Sequence, residues 1–341
     1  MTRSTPFLDL MVQVPVFTLN TGQKLPAVGL GCWMGKPGDR LDDVEQMCST
    51  ALKLGYRSFD TARSYGNEEA VGKAINASGV PREDIFVTTK LRNIHHHCVK
   101  EAFEESLAAL DVGYIDLYLM HWPMAFIDGR TLKPDESPTI VETWREMEKL
   151  LVTGKVKAIG VSNFSIARLQ TLIDRCTVVP AVNQFECHPS LPQFELVEFC
   201  QAKGIQVTAY SSLGQPGGTA AINSVSQPDV FFHGEPLKHL GDKYQISVGQ
   251  ILLSWAVQRG INVIPKSEKE ARLRQNLEVV RLDDGDMEFL NNWHKADNMH
   301  RSLCPYHSIE PYPHIFGWTY EMLQWPGMGA GGVISKPSTT D

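Results

Sequence analysis

The chain has 341 residues and is 43% hydrophobic, enough for one large core. Its formal net charge of −7 without a basic block argues against a nucleic-acid partner. No run reaches the roughly 18 apolar residues that a membrane span needs, and we recognise no signal peptide. Seven cysteines without a C-x-x-C pair favour reduced thiols, so we expect a cytoplasmic protein.

The pattern along the chain predicts an alternation of strands and helices. After a loose arm over residues 1–15, Phe17–Pro26 is predicted to form a hairpin. The predicted strands that follow are Ala27–Cys32, Arg57–Asp60, Phe86–Lys90, Ile115–His121, Val156–Asn163, Ala181–Glu186, Gln206–Ser212 and Asn262–Lys266. The predicted helices lie near residues 41–54, 67–77, 96–110, 139–152, 165–174, 192–202, 246–259 and 268–279. Eight such units favour an α/β fold that closes as a (β/α)8 TIM barrel, with an open doubly wound sheet as the alternative.

We expect a single barrel domain over residues 16–326. Two long loops interrupt the pattern, 122–138 after the fourth strand and 212–236 after the seventh, and loops of this length often shape a binding site. A tail rich in aromatic residues begins near residue 299, and its last part, 327–341, is predicted to be disordered. The sequence leaves open whether this tail covers the barrel mouth or packs on its outside.

Four chemically active side chains fall at or just after predicted strand ends. Asp60, Lys90 and His121 close the second, third and fourth strands, and Tyr65 lies in the loop after the second. Catalytic groups of such barrels come from the carboxyl ends of different strands. A phenol has an ordinary pKa near 10, so a cation such as Lys90 is expected to lower the pKa of Tyr65, while Asp60 orients Lys90. Lowering that pKa by about two units takes roughly 3 kcal/mol.

These four residues belong to a longer set of motifs through which the chain resembles the aldo-keto reductases. The matching segments are Gly29-Leu30-Gly31-Cys32-Trp33, Phe59-Asp60-Thr61-Ala62, Tyr65-Gly66-Asn67-Glu68, Thr89-Lys90, Leu119-Met120-His121-Trp122-Pro123, Gly160-Val161-Ser162-Asn163-Phe164, Asn183-Gln184 and Ile264-Pro265-Lys266-Ser267. The resemblance implies a barrel that binds a nicotinamide cofactor, with Tyr65 as proton donor, Lys90 and Asp60 tuning it, and His121 orienting a carbonyl.

The resemblance also implies a set of cofactor-binding residues. Cys32 and Trp33 would border the cofactor, and Tyr210 would stack on the nicotinamide. The carboxamide is expected on Ser162, Asn163 and Gln184, the pyrophosphate on Ser211, Leu213 and Gly214, the 2′-phosphate on Lys266, Ser267 and Arg272, and the adenine on Gln275 and Asn276. Two cations and a hydroxyl suit a phosphate dianion, so NADPH is expected as the cofactor, with NADH as a weaker alternative.

Two departures from the family pattern concern the hold on the cofactor. Many members clasp it with a Lys after the first-strand Trp and an Asp in the seventh-strand loop, but here Met34 follows Trp33 and Gln215–Gly218 follows Gly214. We expect a weak clasp and fast release of NADP⁺. Glu268, directly after Ser267, could repel the 2′-phosphate or accept a hydrogen bond from a ribose hydroxyl.

The expected activity is NADPH-dependent reduction of an aldehyde or ketone, as in an NADP⁺-linked alcohol dehydrogenase or aldehyde reductase. Trp33, Trp122, Phe126 and Cys304 are the predicted substrate-binding residues. Alternatives are a polyol or glycerol dehydrogenase working in the oxidative direction and a non-enzymatic regulatory subunit on the same barrel. We expect a monomer with a small-molecule substrate and no metal, because the consecutive His95–His97 point in different directions from a helix start.

Overall fold

Eight parallel strands form one sheet whose two edges meet. The computed structural model describes residues 14–214, 231–232, 234–308, 314–325, 327–329 and 332–334. In these residues the strands are β1 (Val16–Thr18), β2 (Lys24–Pro26), β3 (Leu30–Gly31), β4 (Ser58–Asp60), β5 (Phe86–Leu91), β6 (Ile115–Met120), β7 (Phe126–Ile127), β8 (Arg130–Thr131), β9 (Val156–Ser162), β10 (Val182–Glu186), β11 (Gln206–Tyr210), β12 (Asn262–Val263), β13 (His314–Ile315) and β14 (Trp318–Thr319). The sheet order is β12-β11-β10-β9-β6-β5-β4-β3, so all eight predicted barrel strands are confirmed.

The first and last barrel strands close the sheet into a barrel. Gly29 N donates to Val263 O at 2.8 Å, and Val263 N donates to Ala27 O at 2.9 Å. A Cβ on Gly31 would lie 2.5 Å from the Ile264 carbonyl oxygen. The seam therefore needs glycine at this position, where two backbones approach closely. The predicted barrel is confirmed, and the open doubly wound sheet is excluded.

The helices surround the barrel. They are α1 (Leu41–Leu54), α2 (Glu68–Ala77), α3 (Val99–Leu110), α4 (Ile140–Leu150), α5 (Ile166–Arg175), α6 (Phe194–Ala202), α7 (Glu235–Tyr244), α8 (Val248–Gln258), α9 (Glu270–Leu277), α10 (Asp284–Asn292) and α11 (Tyr320–Leu323). Short polar caps fix several starts, such as the capping box of Thr139 and Glu142 at α4. None of the described helices is long and apolar enough to cross a membrane.

Three of the described helices, α7, α10 and α11, were not predicted from the sequence. Helix α7 buries Leu237, Leu240 and Tyr244. Their spacing is helical, but the polar residues between them hide the pattern in the sequence. The N-cap of α10 is Asp283, whose side chain accepts from Asp286 N. The short α11 lies in the aromatic tail, where its packing against the barrel supplies most of its stability.

The core fills the barrel and the space between the sheet and the helices. Strands β5 and β6 are buried along their whole length, as expected of a parallel sheet covered on both faces. The N-terminal hairpin predicted from the sequence is formed by β1 and β2, which pair antiparallel. Residues 1–13 of the predicted arm lie outside the described residues.

The C-terminal tail packs over the loop that follows β6. Trp318 Nε1 donates to Leu132 O at 2.6 Å, and Thr131 Oγ1 donates to Phe316 O at 2.7 Å. Trp122, two residues after the end of β6, contacts Phe316 at a ring-centroid distance of 5.1 Å. The tail therefore lies at the carboxyl ends of the strands, on the side of the barrel mouth.

Part of the segment that we predicted to be disordered forms bridges. Met328 pairs with Ile334, and Val333 pairs with Arg301. Residues 332–334 form backbone hydrogen bonds with the segment around His300, and Gly329 N donates to Val333 O, so residues 327–329 and 332–334 are ordered in the structure. The remainder of 327–341 lies outside the described residues, and the domain limits stay a prediction.

Candidate active site

The four predicted catalytic residues meet at one end of the barrel. Asp60 ends β4, Lys90 lies in β5, and His121 directly follows β6. Tyr65 ends a short 3₁₀ turn, Arg63–Tyr65, which Gly66 terminates at φ 66°. The parallel register places Asp60 beside Thr88 and Lys90 beside Leu119, so adjacent strands carry these side chains to the same edge.

Lys90 is fully buried and ion-paired. Its Nζ donates to Asp60 Oδ1 at 2.5 Å and to the Thr61 carbonyl at 2.8 Å. Burial lowers the pKa of Lys90, but the Asp60 carboxylate and the Tyr65 hydroxyl raise it, and the net shift is upward. The ammonium is therefore charged at neutral pH and held by Asp60, as predicted.

Tyr65 lies against this ammonium. Lys90 Nζ is 5.1 Å from the centroid of the Tyr65 ring. Burial raises the pKa of the Tyr65 phenol, and the opposing effect of Lys90 does not overcome it, so the net shift is upward. The predicted lowering was therefore wrong for the net shift, because desolvation of the phenolate exceeds its attraction to Lys90. The consequence is a phenol that carries its proton at neutral pH.

His121 completes the group as a neutral imidazole. Its ring lies edge-on to that of Tyr65, with 5.8 Å between centroids. Burial and the Lys90 charge hold the pKa of His121 well below its ordinary value. Nδ1 is 3.3 Å from Ser64 Oγ. With the Ser64 hydroxyl as donor, the proton of the imidazole is on Nε2, where it can be donated to another oxygen.

Three side chains predicted to hold a carboxamide form a connected hydrogen-bond network. Asn163 Nδ2 donates to Ser162 Oγ at 3.1 Å and to the His121 carbonyl at 2.9 Å. Ser162 Oγ donates to the Gln184 carbonyl at 2.9 Å, and Gln184 Nε2 donates to Asp60 Oδ2 at 2.7 Å. All three are buried. The network joins the predicted amide site to the predicted catalytic group through Asp60.

Tyr210, predicted to stack on a nicotinamide ring, ends β11 beside this network. Its hydroxyl donates to Asn163 Oδ1 at 2.7 Å and lies 2.6 Å from the Tyr306 hydroxyl. Ser211 has φ 51° and Gly214 has φ 66°, and Leu213 between them packs against the main core. The backbone turns sharply here, at the predicted pyrophosphate loop. Gln215–Gly218 of the predicted clasp lie outside the described residues.

The predicted 2′-phosphate residues lie after β12 and on α9. Lys266 and Ser267 follow the strand, and Arg272 is exposed on the helix. Lys266 Nζ is ion-paired with Glu268 Oε1 at 2.7 Å. The predicted adenine residues occupy the next turn of α9, with Gln275 exposed and Asn276 buried. Cys32 was also predicted to border the cofactor, and its thiol is fully buried 3.9 Å from Cys48 Sγ of α1.

The predicted substrate-binding residues have different environments. Trp33 is 37% exposed, and its ring lies 5.0 Å from that of Tyr65. Phe126 is 39% exposed at the rim, whereas Trp122 is 6% exposed beneath the aromatic tail. Cys304 is buried, with Sγ 3.4 Å from Ser211 Oγ. Trp33 is therefore an accessible wall beside the phenol, and Trp122 mainly supports the tail.

Sequence reasoning missed two residues that shape the site. Glu186 ends β10 and binds the C-terminal segment, accepting from Leu303 N at 2.6 Å and from Ser302 Oγ. Tyr306, from the same segment, contacts the Trp122 ring at 5.5 Å and the Tyr210 hydroxyl. Glu186 was detectable as a carboxylate at a strand end, like Asp60. Nothing in the sequence signalled the Tyr306 contact.

The residues of this site fit a nicotinamide dinucleotide by their chemistry. A hydroxyl and two side-chain amides, on Ser162, Asn163 and Gln184, suit a carboxamide. After the last barrel strand, Lys266 and Arg272 with the Ser267 hydroxyl suit a phosphate dianion. A protonated phenol and a neutral imidazole next to the amide set suit proton donation to a carbonyl oxygen.

Comparisons with known proteins point to one family. The model of the Aldo/keto reductase family matches residues 27–295. The chain is 42% identical to D-galacturonate reductase from Hypocrea jecorina over 81% of this chain and 89% of the relative. It is 41% identical to glycerol 2-dehydrogenase (NADP(+)) from Saccharomyces cerevisiae over 85% of this chain and 94% of the relative. An aldo-keto reductase from Bombyx mori in complex with NADP superposes with a TM-score of 0.77 at 36% identity, covering 89% of this chain and 99% of that one. The chain belongs to the aldo/keto reductase family.

Proposed function

We propose that this enzyme reduces an aldehyde or ketone to the alcohol with NADPH, as an aldehyde reductase of the NADP⁺-linked alcohol dehydrogenase type. The observation that carries the proposal is the buried contact of Lys90 with Asp60 beside the protonated Tyr65. NADPH, bound by Ser162, Asn163, Gln184 and the Lys266 pocket, would supply the hydride. We further propose that the enzyme works as a monomer in the cytoplasm.

The protein side of the reaction is proton donation to the carbonyl oxygen. Tyr65 keeps its proton until negative charge develops on that oxygen, and the Lys90 ammonium then stabilises the phenolate. Asp60 fixes Lys90 in place. The neutral His121 can donate a hydrogen bond to the same oxygen and so orient the carbonyl. Trp33 screens Tyr65 from part of the solvent.

The substrate class is proposed as small hydroxy-aldehydes, uronates and aldehydes with an apolar body. The accessible aromatic wall of Trp33 supports an apolar or sugar-like face next to the reacting carbon. Similarity to a D-galacturonate reductase and to a glycerol 2-dehydrogenase supports polyhydroxylated substrates. The latter relative also makes glycerol oxidation with NADP⁺ the second candidate, because the chemistry is reversible.

The test is NADPH consumption, followed by absorbance, with D-galacturonate, glyceraldehyde, aldoses, ketones and aromatic aldehydes, and NADP⁺ reduction with glycerol. Tyr65→Phe is expected to lower kcat about 10²- to 10⁴-fold while NADPH still binds. Tyr114→Phe, at the opposite end of the barrel, is the control. Tight NADPH binding without turnover of any carbonyl or of glycerol would contradict the proposal and favour a regulatory subunit.

A further inference from the structure

A charged bridge at the 2′-phosphate pocket joins the loop after the first barrel strand to the loop after the last. We propose that Arg40, through this bridge to Glu268, is a determinant of the preference for NADPH over NADH. The inference rests on the proposed function only as far as the enzyme binds a nicotinamide dinucleotide.

In this bridge the Arg40 guanidinium contacts both oxygens of the Glu268 carboxylate. Arg40 Nη1 donates to Glu268 Oε1 at 3.3 Å, and Arg40 Nη2 donates to Glu268 Oε2. Lys266 Nζ binds the same Oε1 at 2.7 Å. The side chains of Arg40, Glu268 and Lys266 are 44%, 32% and 27% exposed. Glu268 therefore contacts two cations, Arg40 from the loop after the first barrel strand and Lys266 from its own loop.

Without Arg40, Glu268 would oppose the 2′-phosphate in two ways. It directly follows Ser267 in the phosphate pocket, so its negative charge would repel a phosphate dianion. It would also compete with the phosphate for Lys266, which is its ion-pair partner. A carboxylate at this position, taken alone, favours a cofactor that has ribose hydroxyls instead of a phosphate.

Arg40 removes both obstacles. The planar guanidinium can satisfy both Glu268 oxygens in a fork, so Lys266 is released to a phosphate without leaving the carboxylate unpaired. The charge of the group Lys266, Glu268 and Arg40 is then +1 instead of zero. Asp43 on α1 is half exposed and accepts from Arg40 Nε at 2.6 Å. When Asp43 is counted too, the charge is zero with Arg40 and −1 without it, so Arg40 still makes the pocket more favourable to a phosphate.

The bridge also relates to the charged pair with which many family members clasp the cofactor, and which this sequence was predicted to lack. Met34 stands where many family members have a cation, and the structure puts Arg40, six residues later, in contact with Glu268 in the loop after the last barrel strand. Arg40 is the N-cap of α1 with φ 52°, and its side chain makes no capping hydrogen bond. Glu268 thus tethers the first loop instead of repelling the cofactor.

The experiment measures the dissociation constants of NADPH, NADH and 2′,5′-ADP, by fluorescence titration and calorimetry, without any carbonyl substrate. The variants are Arg40→Gln, Glu268→Gln and the double variant. Gln is chosen at position 40 because Asn or Gly would relax the positive φ. Arg130→Gln is the matched control, since Arg130 makes a similar two-pronged ion pair with Glu136 in a surface loop.

Arg40→Gln is expected to weaken the binding of NADPH and of 2′,5′-ADP roughly fivefold and to leave the binding of NADH nearly unchanged. Glu268→Gln in the Arg40→Gln background is expected to restore NADPH binding, because the uncompensated carboxylate is gone. Equal losses for NADPH and NADH, no rescue by Glu268→Gln, or the same loss in Arg130→Gln would overturn the inference.

The outcome separates this inference from the proposed function. Selective loss of NADPH binding in Arg40→Gln supports the inference even when no carbonyl is reduced, a result that would contradict only the proposed function. A wild-type enzyme that binds NADH as tightly as NADPH overturns the inference and leaves carbonyl reduction possible. Thermal unfolding of each variant without cofactor, expected to give the same midpoint as the wild type because the pairs are exposed, separates binding from folding.

Discussion

The side-chain amide of Gln184 donates to Asp60 Oδ2 at 2.7 Å, while Lys90 binds Oδ1 of the same carboxylate at 2.5 Å. Both oxygens of this buried acid therefore accept hydrogen bonds, one from Lys90 and the other from Gln184 of the predicted carboxamide site. Gln184 and Asp60 are 124 residues apart in the chain. Residues that we predicted to bind the cofactor thus also hold the acid that orients Lys90.

This relationship predicts the effect of Gln184→Ala. One oxygen of buried Asp60 would lose its donor, so the free energy of unfolding is expected to fall by about 1 to 3 kcal/mol. Lys90 would be held less firmly, and kcat should fall along with NADPH affinity. Urea unfolding and steady-state kinetics measure these effects.

Gln206→Ala is the control for Gln184→Ala. Gln206 donates to the Val207 and Gly260 carbonyls at the start of its strand, away from the site. The Gln206→Ala substitution should lower the free energy of unfolding without changing kcat or NADPH affinity. A Gln184→Ala enzyme with wild-type kcat and NADPH affinity would contradict the proposed link through Asp60.

The Tyr306 hydroxyl is expected to hold Tyr210 for cofactor stacking. Tyr306→Phe removes the oxygen that lies 2.6 Å from the Tyr210 hydroxyl but keeps the ring that packs on Trp122. Loss of one hydrogen bond is expected to weaken NADPH binding about three- to tenfold, measured by fluorescence titration. Tyr320→Phe, which removes the hydroxyl 2.9 Å from His307 Nδ1, is the matched control in the tail. Equal affinities of the two variants would contradict a specific role for Tyr306.

His307 is expected to make the stability of the fold sensitive to acid. Burial lowers its pKa from 6.5 to about 4, although the Glu186 carboxylate acts in the opposite direction. Because the folded state favours the neutral imidazole, its contribution to stability is complete above about pH 6.5 and is lost as the pH falls toward 4. The lost free energy of unfolding is at most about 3 kcal/mol.

Unfolding by urea at pH 7 and pH 5 measures this loss. His307→Gln should reduce the difference between the two pH values, whereas His97→Gln, at an exposed position, should leave it unchanged. The same pH dependence in wild type and His307→Gln would show that His307 does not titrate with unfolding.

The sequence by itself determined the barrel and predicted which side chains form the candidate catalytic group. The alternation of apolar segments of strand length and helix length is a local signal, so it predicts the barrel. Because a parallel barrel places the carboxyl ends of all its strands at one rim, the sequence also predicts that Asp60, Lys90 and His121 lie close together. The sequence could not decide the sign of the Tyr65 pKa shift, because that sign depends on how completely the phenol is buried.

Tertiary structure alone decided the contacts between distant segments. From the sequence, the tail could have covered the barrel mouth or packed on the outside of the barrel. Its contacts with Trp122 and Leu132 place it on the side of the mouth. Tyr306 with Tyr210, and Arg40 with Glu268 across 228 positions, likewise join loops whose conformations no periodic pattern encodes. Such pairs form only after the barrel has brought its loops to one rim, and their strength depends on local burial and charge that a sequence does not state.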